Sequence, residues 1–248
     1  MQNLDWLLGE VKKGELVVIS GLPFMGRTAL LRQILAQNFT KQKSMYFEVD
    51  DFQRADTLCA LVCLLGNVTT DDYLGKGDCP QKEIVDSIFG VIDNNRDFNL
   101  YFGAKFEFIR YVIEIVKQKY THGLDSVYID GFENVLKDNE IGASVLAESL
   151  KKLAEELDIT IYITARKKRG EERAYYGGVN YFLGSFASKI INIERKDYLA
   201  TANELDHGLV KKGETKISII KNNSGVLGGR TLYFDYDHLG FFENPFSK

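Results

Sequence analysis

The sequence predicts an α/β fold: a mostly parallel sheet flanked by helices on both faces, extended at one edge by a C-terminal antiparallel hairpin. Three observations predict it. Short apolar runs of strand length alternate with longer segments of helical period along most of the chain. The first run, Leu16–Ser20, is almost unbroken in its apolar character, as expected of a strand buried on both faces. The last two, Lys216–Lys221 and Arg230–Asp235, flank a Gly-rich turn, the pattern of neighbouring antiparallel strands.

After the strand at Leu16–Ser20, a helix follows with Leu30, Leu31, Ile34 and Leu35 on one face. Met45–Asp50 reads as a second strand. Residues 53–65 read as a helix carrying Leu58, Leu61, Val62 and Leu65. Residues 66–97 are polar and irregular, with a helix around Ile84–Ile92. Phe98–Phe102 is strand-like, and Ile109, Val112, Ile113 and Val116 then recur at helical spacing before Gly123. Ser126–Asp130 is a strand that ends in an acid. Ile141–Leu157 is a long helix with Leu146, Leu150, Leu153 and Leu157 in register. Ile159–Thr164 and Lys189–Glu194 are two further strands, separated by a charged loop. Phe241 and Phe242, with Phe246, are expected to pack an edge strand.

Composition narrows the class. The 248 residues are 45% hydrophobic and 27% charged, ordinary values for a globular protein. With three prolines and no Ser/Gly-rich linker, a single domain spanning residues 1–248 is expected. The net charge of −4 argues against a surface that binds nucleic acid everywhere, yet leaves room for local basic patches. Residues 1–10 have neither the basic flank nor the apolar run of a signal peptide. No segment approaches the ~18 apolar residues of a membrane span, so no membrane partner and a cytoplasmic location are expected. Cys59, Cys63 and Cys79 read as reduced thiols, because the histidines are too scattered to complete a zinc site.

The chemistry concentrates where the first strand ends. Gly21-x-x-x-x-Gly26-Arg27-Thr28 stands between a strand and a helix, the context a phosphate-binding P-loop requires. Backbone amides there would point at an anion, and the helix dipole would add to the attraction. Thr28 is placed to bring a hydroxyl to Mg²⁺. The strict pattern has Lys before Thr. Arg27 keeps the charge but is planar and bulkier than the compact ammonium it replaces. Phe24 would add bulk inside a loop that ordinarily carries small residues. A tight turn that no longer binds nucleotide is the competing reading.

At this point the chain resembles the C-terminal, RecA-like motor domain of DnaB-type replicative helicases. The resemblance runs through Leu4-Asp5-x-x-Leu8, Gly14-Glu-Leu16 and Pro23-x-Met25-Gly26. It resumes at Tyr128-Ile-Asp130 and Leu150-Lys-Lys-Leu-Ala-Glu-Glu-Leu157, and ends with Lys221-Asn-Asn-Ser-Gly225 and the closing hairpin. It implies a P-loop core, ATP and Mg²⁺ as cofactors, single-stranded DNA as a partner, and a homo-oligomer or helicase ring with ATP between subunits. Carried over by position, Gly21, Pro23, Gly26, Arg27, Thr28 and Ala29 would hold the nucleotide. Thr28 and Asp130 would face the metal. Asp50 falls at the water-activating glutamate, with Glu48, two residues away on the same face, as a substitute. Lys221 would reach a neighbouring subunit's phosphates.

The departures from the family pattern bear on activity. Besides Arg27 and the shorter Asp50, Ala165 stands where a phosphate-sensing glutamine is usual, and Asn223 replaces the arginine finger. A finger is worth about 10³–10⁵ in rate, and a displaced carboxylate on the order of 10², so efficient ATP-driven translocation is not expected. On this resemblance the sequence is expected to begin at the motor domain, without the family's N-terminal domain. Arg166, Lys167, Lys168, Arg169 and Arg173, with Tyr175 and Tyr176 near them, form the one basic cluster with aromatics close by. In the resembling family such loops touch DNA, by charge neutralisation and base stacking. Against this, Glu171 and Glu172 interrupt the charge, as in a solvated loop. Asp130 could equally be a turn or cap residue, and Asp50 the start of a helix. The sequence therefore leaves two readings open: a DNA-associated ATP-binding relative with weak or absent hydrolysis, or a non-enzymatic RecA-fold module. A small-molecule kinase fits less well, because no Arg-rich lid segment stands out.

Overall fold

The computed structural model describes residues 4–9, 11–48, 54–76, 81–95, 98–102, 108–120, 123–132, 140–167 and 181–243. Its first half runs α1 (Asp5–Leu8), β1 (Leu16–Gly21), α2 (Arg27–Asn38), β2 (Ser44–Glu48), α3 (Arg54–Gly66), α4 (Thr70–Tyr73), α5 (Lys82–Asn94), β3 (Phe98–Phe102) and α6 (Phe108–Tyr120). The second half runs β4 (Ser126–Asp130), α7 (Glu140–Leu157), β5 (Thr160–Arg166), α8 (Tyr181–Phe186), β6 (Lys189–Arg195), α9 (Lys196–Leu199), α10 (Ala202–Asp206), β7 (Glu214–Asn222), β8 (Gly228–Asp235) and β9 (Gly240–Phe242).

The nine strands of the described residues form one sheet in the order β3-β2-β4-β5-β1-β6-β7-β8-β9. The pairings from β3 across to β6 are parallel; those of β7, β8 and β9 are antiparallel. The expected architecture is therefore present, with one more edge strand than the sequence indicated. β1 lies at the centre, between β5 and β6, and each of its six residues is buried. Strand alternation sorts its side chains to two cores. Val17 and Ile19 join Leu30, Leu31, Ile34 and Leu35 of α2 and Leu61 of α3. Leu16 and Val18 join Val112 of α6 and Leu150 and Leu153 of α7 on the other face. The helical spacings seen in the sequence thus point to the faces the helices bury.

The edge beyond β6 is fastened to α2. Gln33, fully buried, accepts from the Phe241 amide at 2.7 Å and donates to the Phe241 carbonyl at 2.9 Å. One amide side chain thus satisfies a backbone donor and acceptor of the edge strand β9, which would otherwise stay unpaired beside the core. Phe241 is itself buried, as expected of an edge-packing aromatic.

Candidate functional site: the β1–α2 turn and its rim

Parallel strands bring their carboxyl ends to one rim, where ligands of open α/β sheets bind. Gly21, Glu48, Asp130, Arg166 and Arg195 end β1, β2, β4, β5 and β6 there. The segment from Gly21 to Thr28 is a strand-to-helix turn. Gly26 adopts φ 91°, in the left-handed region, and precedes α2 with no side-chain cap. A Cβ at Gly26 would lie 2.8 Å from Cζ of Phe241, so both backbone and space demand glycine. The first amides of the 12-residue α2 have no capping side chain, and they open on the rim.

Two loop residues behave differently from expectation. Phe24 does not fill the loop. It sits at φ 63°, is 75% exposed, and its ring lies 5.8 Å from that of Tyr198 in α9. Met25 is the residue that turns inward. It is buried, and its Sδ accepts from the backbone N–H of Arg195 at 3.2 Å. Arg27 is half-buried, and its Cγ would lie 3.4 Å from a Cβ built at Gly21, so its stem passes over the first residue of the loop. Pro23 and Ala29 are half-buried on the same turn.

Asp130 is the hub of the site. Thr28 donates to its Oδ1 at 3.0 Å, Thr164 of β5 donates to the same oxygen at 2.7 Å, and Tyr46 of β2 donates to Oδ2 at 3.0 Å. Thr164 Oγ1 also accepts from the Gly131 amide at 2.8 Å. Three strands and the helix start therefore converge on one carboxylate. Burial, then the nearby Asp130 charge, pushes the Tyr46 hydroxyl well above its ordinary value, so it stays a proton donor to Asp130.

Glu48, expected as a stand-in for the water-activating carboxylate, is instead an internal ion-pair partner. It is 2% exposed; Arg32 of α2 lies 3.2 Å from Oε1, and Thr57 of α3 donates to Oε2 at 2.7 Å. Burial pushes its carboxyl up against the pull of Arg32 and Thr57. Asp50 lies outside the described residues, as do Lys168, Arg169, Arg173, Tyr175 and Tyr176. Arg166 and Lys167 are described, and they differ. Arg166 is exposed, whereas the Lys167 side chain is buried and so is not offered to a strand at the surface in the way expected. Lys221 is not at this rim. It pairs with Ile190, five residues and roughly 16 Å back along β6 from Arg195, and its Nζ donates to the Gly184 and Ser185 carbonyls at 2.9 and 3.1 Å.

Sequence reasoning missed the group beside the loop. Arg195 donates to Asp197 at 2.6 Å and to the Tyr236 hydroxyl, and its guanidinium lies over the Phe234 and Tyr236 rings at 5.2 Å from each centroid. Burial pushes Asp197 up, but Arg195, the Gly213 amide and Tyr236 together hold it below its ordinary value. A cleft of about 370 Å³ opens here between Tyr198, Leu205, Lys212 and Tyr236. The available signal was Arg195-x-Asp197 at the end of an apolar strand.

The fold and this rim define the class: a RecA-like α/β core with a P-loop-type turn. Comparison with families is more specific. The model of the DnaB-like helicase C-terminal domain matches residues 1–175, and the chain belongs to that family. Solved structures agree on the fold. One that is described as an ATPase domain superposes with a TM-score of 0.74 at 19% identity, covering 94% of this chain and 86% of that one. A DnaB-like replicative helicase, described with its interactions with primase, gives 0.76 at 19% identity over 94% of this chain and 58% of that one. The RadB recombinase gives 0.64 at 15% identity over 98% and 97%. No curated protein matches by sequence. Among the described residues, no helix is long and apolar enough to cross a membrane.

Proposed function

We propose that this chain binds ATP with Mg²⁺ at Gly21–Thr28 and acts in association with DNA as a relative of replicative helicase motors, with weak or absent hydrolysis. The observation that carries the reading is the 3.0 Å contact between Thr28 Oγ1 and Asp130, at the mouth of an uncapped strand-to-helix turn. A hydroxyl and a carboxylate beside free helix amides are the donor set that magnesium-bound polyphosphate takes. Gly21, Pro23, Gly26 and Ala29 would bring backbone to the phosphates, Arg27 would add charge, and Thr28 and Asp130 would hold the cation. When bound, that cation neutralises charge on the phosphates.

Weak hydrolysis follows from what surrounds the site. Both Glu48 oxygens are engaged with Arg32 and Thr57, Ala165 carries no polar group, and Asn223 offers no guanidinium. Lys221 could reach a nucleotide only on a second copy of the chain, which supports a homo-oligomer or ring partner for any turnover. Contact with single-stranded DNA would fall to Lys168, Arg169 and Arg173. The continuous nine-stranded sheet supports one domain over residues 1–248.

One observation favours the inert reading. Asp130 already accepts from three hydroxyls, so the site is satisfied without a cation. Thermal melting separates the two. Nucleotide binding raises the midpoint with Mg-ATP by linkage, and Thr28→Val removes the rise. No rise at millimolar nucleotide supports the inert module. Loss of low-salt retention on single-stranded DNA in Lys168→Glu/Arg169→Glu tests the DNA contact.

A further inference from the structure

We infer that Tyr46 is a positioning residue for the cation that accompanies a nucleotide at Gly21–Thr28: its hydroxyl turns the Asp130 carboxylate so that Oδ1 faces Thr28. The inference rests on the nucleotide reading above and adds to it a residue that lies outside every motif carrying the family resemblance.

Placement comes from the strands. β2 and β4 are parallel neighbours, with Tyr46 opposite Tyr128 and Glu48 opposite Asp130. Alternate residues of a strand share a face. Tyr46 and Tyr128 pack in the core that contains α2. Asp130, two residues beyond Tyr128, leaves β4 from that same face and meets Thr28 at the helix start. The Tyr46 ring is fully buried, and its hydroxyl reaches diagonally across to Asp130 Oδ2 at 3.0 Å.

The division of the two oxygens gives this hydroxyl its role. Oδ1 accepts from Thr28 at 3.0 Å and from Thr164 at 2.7 Å, whereas Oδ2 accepts from Tyr46. An aspartate carboxylate turns about its Cβ–Cγ bond, a broad and soft torsion. A grip on Oδ2 therefore decides where Oδ1 points. The oxygen left beside Thr28 is the one that would share the cation with it.

Two features make the grip firm. The ring is enclosed in a close-packed core, so the hydroxyl has no room to swing away. Arg32, one helical turn beyond Thr28 on α2, donates to the Tyr46 oxygen and pairs with Glu48 at 3.2 Å. Hydrogen bonds in such a chain polarise one another, which strengthens the donation from Tyr46 to Asp130. A hydrogen bond that served stability alone would be indifferent to magnesium. One that aims the carboxylate acts on nucleotide binding through magnesium.

The test is calorimetric titration of ATP into the full chain, with magnesium and with EDTA in its place. Wild type, Tyr46→Phe, Asp130→Asn and the double variant are compared. Tyr46→Phe keeps the ring and removes the hydroxyl. It should weaken ATP binding about 10-fold in magnesium and less than about twofold in EDTA. In the Asp130→Asn background it should add less than about twofold, because the two residues act through one carboxylate. An equal loss in magnesium and EDTA, no loss at all, or the full loss persisting in the Asp130→Asn background overturns the inference. A second measurement needs no variant to fold. In wild type labelled with ¹³C at tyrosine Cζ, a tyrosine signal should move when magnesium joins bound ATP, and a spectrum in which none moves overturns the inference equally. Wild type that binds ATP in neither condition refutes the nucleotide reading, and wild type that binds equally in both refutes its magnesium part. The inference fails with either, and both results differ from a wild-type magnesium effect that Tyr46→Phe leaves intact.

Discussion

Replacing Gly26 by Ala probes the turn on which the site is built, and its cost can be worked from the geometry. Gly26 has φ 91°. An L-residue forced into the left-handed region costs about 1–2 kcal/mol. The new Cβ would also lie 2.8 Å from Phe241 Cζ, a ring that is fully buried beneath the helix start. Accommodating it means shifting that ring and the β9 backbone that Gln33 holds, and such overpacking costs about 1–3 kcal/mol. The sum, about 2–5 kcal/mol, is a large share of the 5–15 kcal/mol that typically stabilises a domain. Urea denaturation of Gly26→Ala, Phe241→Leu and the double variant separates the two parts. The steric share should appear as favourable coupling of about 1–2 kcal/mol in the double variant, with the backbone share remaining. A Gly26→Ala protein within about 0.5 kcal/mol of wild type, the range of inconsequential surface changes, would refute both the left-handed turn and the Phe241 contact.

Three other perturbations have defined outcomes. Gln33→Leu leaves the Phe241 amide and carbonyl without their partner, so it should cost about 2–3 kcal/mol and speed hydrogen exchange at Phe241; unchanged exchange there would show that β9 is held otherwise. Glu48→Gln removes the carboxylate charge 3.2 Å from the buried Arg32, while the Asp130 charge remains nearby, which should destabilise by about 2–3 kcal/mol and leave Mg-ATP affinity within a factor of about two; a stable variant with altered turnover would return Glu48 to the reaction centre. Asp197, held below its ordinary value, adds stability that is complete above the unfolded carboxylate value of about 3.9. That contribution is lost as pH falls through the lower folded value, so wild type and Asp197→Asn should differ at neutral pH and converge below about pH 4; a constant difference across that range contradicts the ion-pair account.

The central strands and long helices were legible because their patterns are set by burial. β4 falls at the residues expected, since a strand buried between neighbours is bounded by the change to polar residues, and the half-buried edge strand β3 also falls where its apolar run predicts. β9 and the four- to six-residue helices were not legible. Three residues such as Gly240–Phe242 carry no period, and β9 depends on Gln33, more than 200 positions away. The loop Gly21–Thr28 was legible as a motif because strand, spacing and helix all appear in order. Its interior was not. Nothing in the composition says that Phe24 turns outward and Met25 inward, because that choice depends on the Arg195 amide of a distant strand. Likewise Glu48 carries the same charge whether it faces a ligand or Arg32, and only the packing of α2 against β2 decides. Arg166 and Lys167 read as one basic run, yet strand alternation sends them to opposite faces.

Calorimetric titration of Mg-ATP into the purified chain, beside the same titration of Thr28→Val, bears most directly on the claim that the β1–α2 turn is a polyphosphate site. A single saturable event in wild type, weakened at least tenfold by removing the hydroxyl that meets Asp130, is the predicted result. Binding of equal strength in both proteins, or no heat from wild type at millimolar nucleotide, would contradict it.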